Sequence, residues 1–231
     1  MSEKNEAKPY IIAIPIYDGV DLMDIAAPRE IFSWLSGDAN FKRGLNVYFV
    51  GDTSRKTFTT SNGVEMKIEK DFNDHDPLVA RPDLIWVPGG RPQTLRNLMN
   101  GCDKTGPAFF SYIEQAAKEA EYVCSVCEGA VLLAHTGLLD GYEITTHWAF
   151  VHCFSDKVKV VEGNPRYHKD RNRVTGGGIS SGLDESLYLV SLIAGEASAV
   201  SIQQTMQYYP CPPVNSVIPT AEGCPVPIEC D

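Results

Sequence analysis

The sequence predicts an α/β layered fold with a mostly parallel central sheet. Short apolar runs, typical of buried strands, alternate along the chain with segments of helical periodicity. Such alternation builds parallel strands joined by helices that cover both faces of the sheet. No internal repeat or linker interrupts the pattern, so we expect one domain over residues 9–209. A disordered stretch (1–8) precedes that domain and a Pro-rich tail (210–231) follows it.

The first half of the chain supplies the first strands and a helix. Residues 10–17 form an apolar run, and the following segment predicts an amphipathic helix that begins after Pro28. A second strand is expected at 46–51. Residues 57–69 contain Asn62–Gly63 between two β-rich pieces, and this dipeptide is a strong signal for a hairpin.

The second half continues the alternation. An apolar strand at 83–90 stops at Pro-Gly-Gly, a helix covers 107–119, and the next strand covers 122–126. A helix after that strand has Gly137 as its expected cap. Further short strands are expected in YEITTHW, VKVVE and NRVTGGG. Apolar residues recur at helical spacing over 182–206, which predicts one long packed helix.

Composition narrows the class of function. The 231 residues carry a formal net charge of −10, which argues against binding to nucleic acid because phosphate contacts need dense Lys and Arg. No apolar run approaches the ~20 residues that span a membrane, and the polar N-terminus lacks the apolar core of a signal peptide. We therefore expect a cytoplasmic protein whose seven irregularly spaced cysteines are mostly reduced and form no disulfide framework.

Cys127 is the strongest candidate for a nucleophile. It stands where a buried strand meets a helix, and Ser125 to Gly129 is a cysteine counterpart of the G-x-S-x-G nucleophile elbow. Such a turn pushes the side chain out of the sheet, where a substrate can reach it. The start of the following helix favours negative charge, so we expect a lowered thiol pKa and a reactive thiolate.

Cys124 lies three residues before Cys127, so other roles for the pair need to be weighed. Cys124 falls inside the strand, and three extended residues span roughly 10 Å, too far for a disulfide between the two. A zinc site would need two more ligands at matching spacing, which the sequence lacks. We expect Cys124 to be an ordinary core residue.

A nucleophilic cysteine also needs hydrogen-bond donors for the developing anion. The N–H groups of Gly89 and Gly90, at the end of a neighbouring strand, are candidates for this oxyanion hole. The N–H of Glu128, directly after the nucleophile, is a third.

Three side chains are candidate proton carriers. Asp24 follows the first strand at the same edge of the sheet as Cys127, although it could instead cap the helix near Pro28. His147 belongs to the commonest class of general base, but beside a Trp it could equally be a packed core residue. Glu128 is unusual next to a thiol, because an adjacent carboxylate raises a thiol pKa.

Several of these stretches together resemble the ThiJ/PfpI superfamily, the class I glutamine-amidotransferase-like fold, and more narrowly its isonitrile hydratase branch. The resemblance covers about residues 10–219 and is carried by SVCEGAVLLAHTGLLDGYEITTHWAF, VPGG, DLMDIAAP, VTGGGISSGLDESL and QYYPCPPVNS. Glu128 departs from the hydratases, which carry a small hydroxyl residue after the nucleophile. A related branch joins this domain to a helix-turn-helix DNA reader, but the Pro-rich tail of this chain contains no such module.

The resemblance implies a flavodoxin-like three-layer sandwich, usually a homodimer, with the elbow cysteine at Cys127. It places the acidic partner of the thiol at Asp24 and a histidine partner at His147. It also implies that the carboxylate of Asp184, in the motif after TGGGI, supports structure near the site.

The implied activity is the cysteine-dependent hydration of an isonitrile to an N-substituted formamide. Cys127 would attack the terminal carbon, Asp24 would act as the acid, and neither a metal nor another cofactor is required. One alternative is a glyoxalase-type reaction on small 2-oxoaldehydes that uses His147 or Glu128. Another is a sensor of oxidants or electrophiles, without catalysis, whose Cys127 becomes oxidised. Each of the three predicts a small-molecule partner rather than nucleic acid or a membrane.

Overall fold

A computed structural model describes residues 8–227 and shows a seven-stranded central sheet in the order β10-β11-β7-β6-β1-β2-β5. The strands are β1 Tyr10–Pro15, β2 Leu45–Gly51, β3 Thr57–Thr59, β4 Glu65–Lys67, β5 Lys70–Asp71, β6 Leu84–Val87, β7 Tyr122–Ser125, β8 Glu143–Ile144, β9 Lys159–Val160, β10 Tyr167–Asp170 and β11 Arg173–Gly176. Every pair in this sheet is parallel except β10–β11, so the predicted parallel sheet is confirmed. The expected hairpin forms as the antiparallel pair β3–β4.

Two groups of helices cover the sheet. The helices are α1 Leu22–Leu35, α2 Pro77–Ala80, α3 Pro92–Met99, α4 Gly106–Ala116, α5 Gly129–His135, α6 Ser181–Ala194 and α7 Glu196–Thr205, with a 3₁₀ turn at Trp148–Phe150. Helices α1, α6 and α7 pack on one another, and α2 to α5 form a second group. The sheet lies between the groups, which gives the three layers expected, and every residue of β1, β6 and β11 is buried. No helix of the described residues is long and apolar enough to cross a membrane.

Helix α1 begins at Leu22 and contains Pro28, so the expected start after Pro28 is wrong. A proline has no N–H to donate to the carbonyl four residues earlier, which here belongs to Asp24. The indole Nε1–H of Trp86 donates to that carbonyl instead, at 2.9 Å. Trp86 thus replaces the missing helical bond and ties α1 to strand β6.

The predicted long helix over 182–206 is two helices. Gly195 separates α6 from α7 with a φ of +90°, a conformation that favours glycine. Both helices also pack against α1, so the apolar pattern continues across the break. Periodicity alone therefore could not show where the first helix ends.

The expectation that the cysteines are mostly reduced and form no disulfide framework is wrong. Cys153 and Cys224, separated by 71 positions, are joined by a disulfide, and Cys102 is disulfide-bonded as well. The free thiols of the described residues are Cys124, Cys127 and Cys211. Residues 210–227 contain no helix or strand, as the Pro-rich composition predicts. The predicted disordered stretch 1–8 lies outside the described residues apart from Lys8.

Candidate active site

Cys127 occupies a strained turn between β7 and α5. Its φ is +58°, in the left-handed region that side chains other than glycine rarely adopt. The Cys127 N–H donates to the carbonyls of Gly176 (3.2 Å) and Gly177 (2.8 Å), and its own carbonyl accepts from Thr146 Oγ1 at 2.8 Å. The end of β11 and the segment after β8 therefore fix the geometry of this elbow.

Asp24 lies within α1 and is fully buried. Its Oδ2 accepts a hydrogen bond from the Gly89 N–H at 2.9 Å, whereas Oδ1 has no partner among the described residues. The side chain is therefore directed toward the end of β6, which is evidence against the alternative role as a helix cap. Burial and then repulsion from Glu128 raise the pKa of Asp24 well above its usual value, which favours the protonated form of the carboxyl.

Glu128 directs its carboxyl back toward the thiol that precedes it. Burial raises its pKa to about 7, while hydrogen bonding from the Cys127 thiol, and more weakly from the N–H groups of Glu128 and Gly90, offsets part of that effect. A carboxyl of this pKa is ionised in about half of the molecules at neutral pH. Glu128 is thus suited to accept a proton from Cys127.

The predicted lowering of the Cys127 pKa is wrong. Burial, followed by repulsion from Asp24 and Glu128, raises the pKa of the thiol well above its ordinary value. The Glu128 N–H acts in the opposite direction and does not compensate. Cys127 is therefore a neutral thiol at rest, and any nucleophilic role requires a base beside it.

The two glycines expected to form an oxyanion hole have other contacts. Gly89 donates to Asp24, and the Gly90 N–H acts on the Glu128 carboxyl. A Cβ on Gly89 would lie 2.7 Å from the Glu128 nitrogen, closer than real Cβ atoms approach, so only glycine fits there. In the resting protein these two residues position the acids.

His147 lies beside the elbow without a hydrogen bond to the thiol among the described residues. Its Nδ1 accepts from the Ala149 N–H at 3.2 Å, which caps the 3₁₀ turn, and its ring packs against Trp148 and Phe150. Burial lowers its pKa below 6.5, so the ring is neutral at pH 7. The structural role is evident, and a catalytic role for His147 stays a prediction.

Four ligand-type side chains meet around the sulfur. One atom from each of Asp21, Asp24, Cys127 and Glu128 lies within 4.8 Å of the others. This is the set of described residues that could hold a metal ion. The Asp21 carboxylate also accepts from Ser61 Oγ at 2.6 Å. The prediction that the protein works without a metal stays a prediction.

A cavity of about 420 Å³ lies beside the elbow. Its wall includes Thr146 and Gly177, which hold the Cys127 main chain. Apolar parts of the wall come from Met23, Trp148, Ile179 and Ile218. Cys127 itself has no exposed surface, so the expected open access to the nucleophile is wrong. Cys127 is not among the residues that line the cavity.

Two acids of α6 complete the surroundings. Asp184 accepts from Arg166 Nε and from the Tyr208 hydroxyl at 3.1 Å, and thereby ties the cavity wall to the residues after α7. Glu185 is fully buried, and neither of its carboxyl oxygens has a partner among the described residues. Burial and then repulsion from Asp24 raise the pKa of Glu185 well above its usual value, which favours its protonated form. Sequence reasoning missed Glu185, although a carboxyl four residues before Leu189 on the packed helix face was a usable signal.

Comparison with known proteins places this elbow in a family. A model described as the DJ-1/PfpI family matches residues 11–191. The chain belongs to the DJ-1/PfpI family. The ThiJ/PfpI resemblance predicted from the sequence is thus confirmed, and the sheet and its covering helices are the expected α/β fold.

Three similar proteins show how far the likeness of this chain extends. An isonitrile hydratase of Pseudomonas putida is 35% identical over 161 residues, which cover 70% of this chain and 65% of that enzyme. The HTH-type transcriptional regulator ArgR of Pseudomonas aeruginosa is 31% identical over 130 residues, covering 54% of this chain and 39% of the regulator. A ThiJ/PfpI family protein from Pseudomonas syringae superposes with a TM-score of 0.74 at 25% identity, covering 93% of this chain and 81% of that one. The chain spans less than two thirds of the length of either curated relative.

Proposed function

We propose that this protein hydrates isonitriles, converting R–N≡C and water into the formamide R–NH–CHO through a Cys127 thioimidate. The likeness to an isonitrile hydratase supports the reaction class. One structural observation carries the mechanism: the Cys127 sulfur and a carboxyl oxygen each of Glu128 and Asp24 lie within 4.8 Å of one another. Glu128 is suited to accept the thiol proton, and the raised pKa of Asp24 suits it to donate one.

The first step joins the sulfur to the substrate. Glu128 takes the thiol proton as Cys127 adds to the terminal isonitrile carbon, and Asp24 delivers its proton to that same carbon. The product is the thioimidate R–N=CH–S on Cys127, with Glu128 protonated and Asp24 ionised. Because base and acid both contact the reacting atoms, no free thiolate needs to accumulate.

The second step releases the formamide. Glu128 protonates the imine nitrogen while Asp24 takes a proton from the water that attacks the carbon. The adduct R–NH–CH(OH)–S then collapses to R–NH–CHO, and the hydroxyl proton returns to the departing Cys127 sulfur. Glu128 is left ionised and Asp24 protonated, so the resting state is restored without a metal or another cofactor.

The cavity beside the elbow suits a neutral substrate with an apolar substituent. Met23, Trp148 and Ile179 provide apolar surface, and the volume of about 420 Å³ accommodates a small aryl or alkyl group. Since Cys127 has no exposed surface, part of the wall moves aside before the isonitrile carbon reaches the sulfur.

Loss of the sulfur tests the proposal directly. Cys127→Ala should abolish formamide production from p-nitrophenyl isocyanide and from an alkyl isonitrile, followed by mass spectrometry. Cys124→Ala is the matched control, because Cys124 is a buried free thiol of β7 that has no part in this mechanism. Turnover by Cys127→Ala at the rate of the unaltered protein would rule the scheme out.

The glyoxalase-type alternative is tested with methylglyoxal as the substrate. Conversion of methylglyoxal to lactate without any isonitrile turnover would favour it. The raised pKa of Cys127 argues against the sensor alternative, because oxidation proceeds through the thiolate.

The homodimer and the cytoplasmic location stay predictions. Met23 and Trp34 are exposed apolar side chains of α1 that a second copy could cover. Light scattering of the purified protein measures that association. The Cys153–Cys224 disulfide favours an oxidising compartment over the cytoplasm.

A further inference from the structure

The residues after α7 cross the surface and reach the candidate substrate cavity. Ile218 lines that cavity together with His147 and Trp148. Its neighbour Val217 does not line the cavity and is 91% exposed, against 52% for Ile218. One side chain of this otherwise exposed segment is therefore placed where a substrate would contact it.

Among residues 8–227, which the structure describes, three attachments hold this segment just beyond Ile218. The carbonyl of Ala221 lies 3.1 Å from His152 Nε2, the disulfide joins Cys224 to Cys153, and Val226 packs against the core. His152 and Cys153 follow directly on the turn that carries Trp148. The disulfide thus fastens the segment to the part of the chain that directly follows the cavity residues His147 and Trp148.

The family match ends at residue 191, so Ile218 comes from a part of the chain that the match does not cover. The elbow and its acids lie within the match and serve the chemistry. A wall contributed from outside it can differ between members without disturbing that chemistry. Substrate selection is the property such a wall can alter.

We propose that Ile218 limits the size of the substrate's substituent, and that the Cys153–Cys224 disulfide holds Ile218 in the cavity wall. The inference deepens the proposed function and rests on it for the identity of the substrate. Among the described residues, the other attachments of this segment are the Ala221–His152 hydrogen bond and the packing of Val226. A single hydrogen bond is too weak to fix a chain segment against its conformational entropy.

Substrate selectivity is the first test. Ile218→Gly should raise kcat/KM for naphthyl isocyanide about tenfold or more while leaving that for methyl isocyanide within about twofold, as expected for space gained in an apolar pocket. Val217→Gly is the matched control and should change neither value. Equal changes for both substrates, or no change with Ile218→Gly, would overturn the role of Ile218.

The disulfide is tested by the double variant Cys153→Ser/Cys224→Ser, with folding checked by circular dichroism. It should shift the selectivity in the same direction as Ile218→Gly. A folded double variant with unaltered selectivity would show that the bond does not hold the wall.

A second readout does not depend on hydratase activity. Alkylation of Cys127 by a small and by a bulky maleimide is followed by peptide mass spectrometry, with the exposed free thiol of Cys211 as internal reference. Ile218→Gly should accelerate only the reaction of Cys127 with the bulky reagent. If Ile218→Gly has that effect but the protein does not turn over isonitriles, the proposed function is refuted and the role of Ile218 as a barrier in the cavity wall stands. If the ratio of the two alkylation rates does not change, the role of Ile218 is refuted.

Discussion

The main-chain N–H of Gly89 donates a 2.9 Å hydrogen bond to Oδ2 of Asp24, a residue 65 positions earlier in the chain. This bond joins the end of strand β6 to helix α1 and fixes the acid next to the Cys127 sulfur. The other oxygen, Oδ1, has no partner among the residues that the structure describes and is free to contact a reacting group. The proposed chemistry depends on how this acid and its neighbour Glu128 hold and release protons.

Asp24→Asn should lower kcat for isonitrile hydration by about 100-fold or more, because the amide keeps the shape of the side chain and cannot donate the acid's proton. Formamide production by mass spectrometry measures the effect. Asp140→Asn, on the surface beside Lys157, serves as the control. If Asp24→Asn retained full kcat with unaltered thermal stability, Asp24 would not be the acid.

Gly89→Ala should abolish most activity, since a Cβ would lie 2.7 Å from the Glu128 nitrogen and 3.0 Å from Asp24 Oδ2. Either acid would have to move. Gly37→Ala is the matched control, because the nearest atom to its Cβ is 3.8 Å away. Circular dichroism separates displacement of the acids from loss of the fold. Full activity in a folded Gly89→Ala variant would contradict this geometry.

The rate of hydration should rise with pH through about 7, as Glu128 becomes ionised and able to accept the thiol proton. It should fall again at higher pH, where Asp24, whose pKa is also raised, loses the proton it donates. Glu128→Gln should remove the rising limb and reduce kcat. If the rate of Glu128→Gln still rose with pH through about 7, a group other than Glu128 would be responsible for the rise.

Glu128 should also make the stability depend on pH. The folded protein holds this proton up to pH about 7, whereas an unfolded glutamate loses it near 4.5, so stability falls as pH rises through that window. Relative to the unaltered protein, Glu128→Gln should therefore gain roughly 3 kcal/mol between pH 4.5 and pH 8. Urea unfolding of both proteins measures the difference. The contributions of the other buried acids are common to both proteins and therefore cancel. A difference that is constant across this range would refute the raised pKa.

Local signals in the sequence predicted much of the fold and the meeting of the site residues. Asn62–Gly63 marks its own turn, and the strand-to-helix junction at Cys127 follows from apolar pattern and small residues alone. Asp24 could be placed near Cys127 because the carboxyl ends of parallel strands share one edge of a sheet.

What sequence reasoning missed depends on contacts across the fold. Proximity of the Cys127 turn to a helix predicted a lowered pKa, but burial beside two carboxyls outweighs that effect. Helix α1 was expected to begin only after Pro28, because the residue that compensates for the proline, Trp86, is 62 positions away from Asp24. The Cys153–Cys224 bond likewise depends on how a distant segment crosses the surface, which spacing along the chain does not encode.

The left-handed backbone at Cys127 makes the presence of a thiol there costly for folding stability. Glycine is the residue that this conformation would prefer, and any side chain kept there costs on the order of 1 kcal/mol or more. Selection for stability alone would therefore favour glycine over the proposed nucleophile. A lineage that retains cysteine at this turn accepts a lower folding stability, which replacement by glycine would restore.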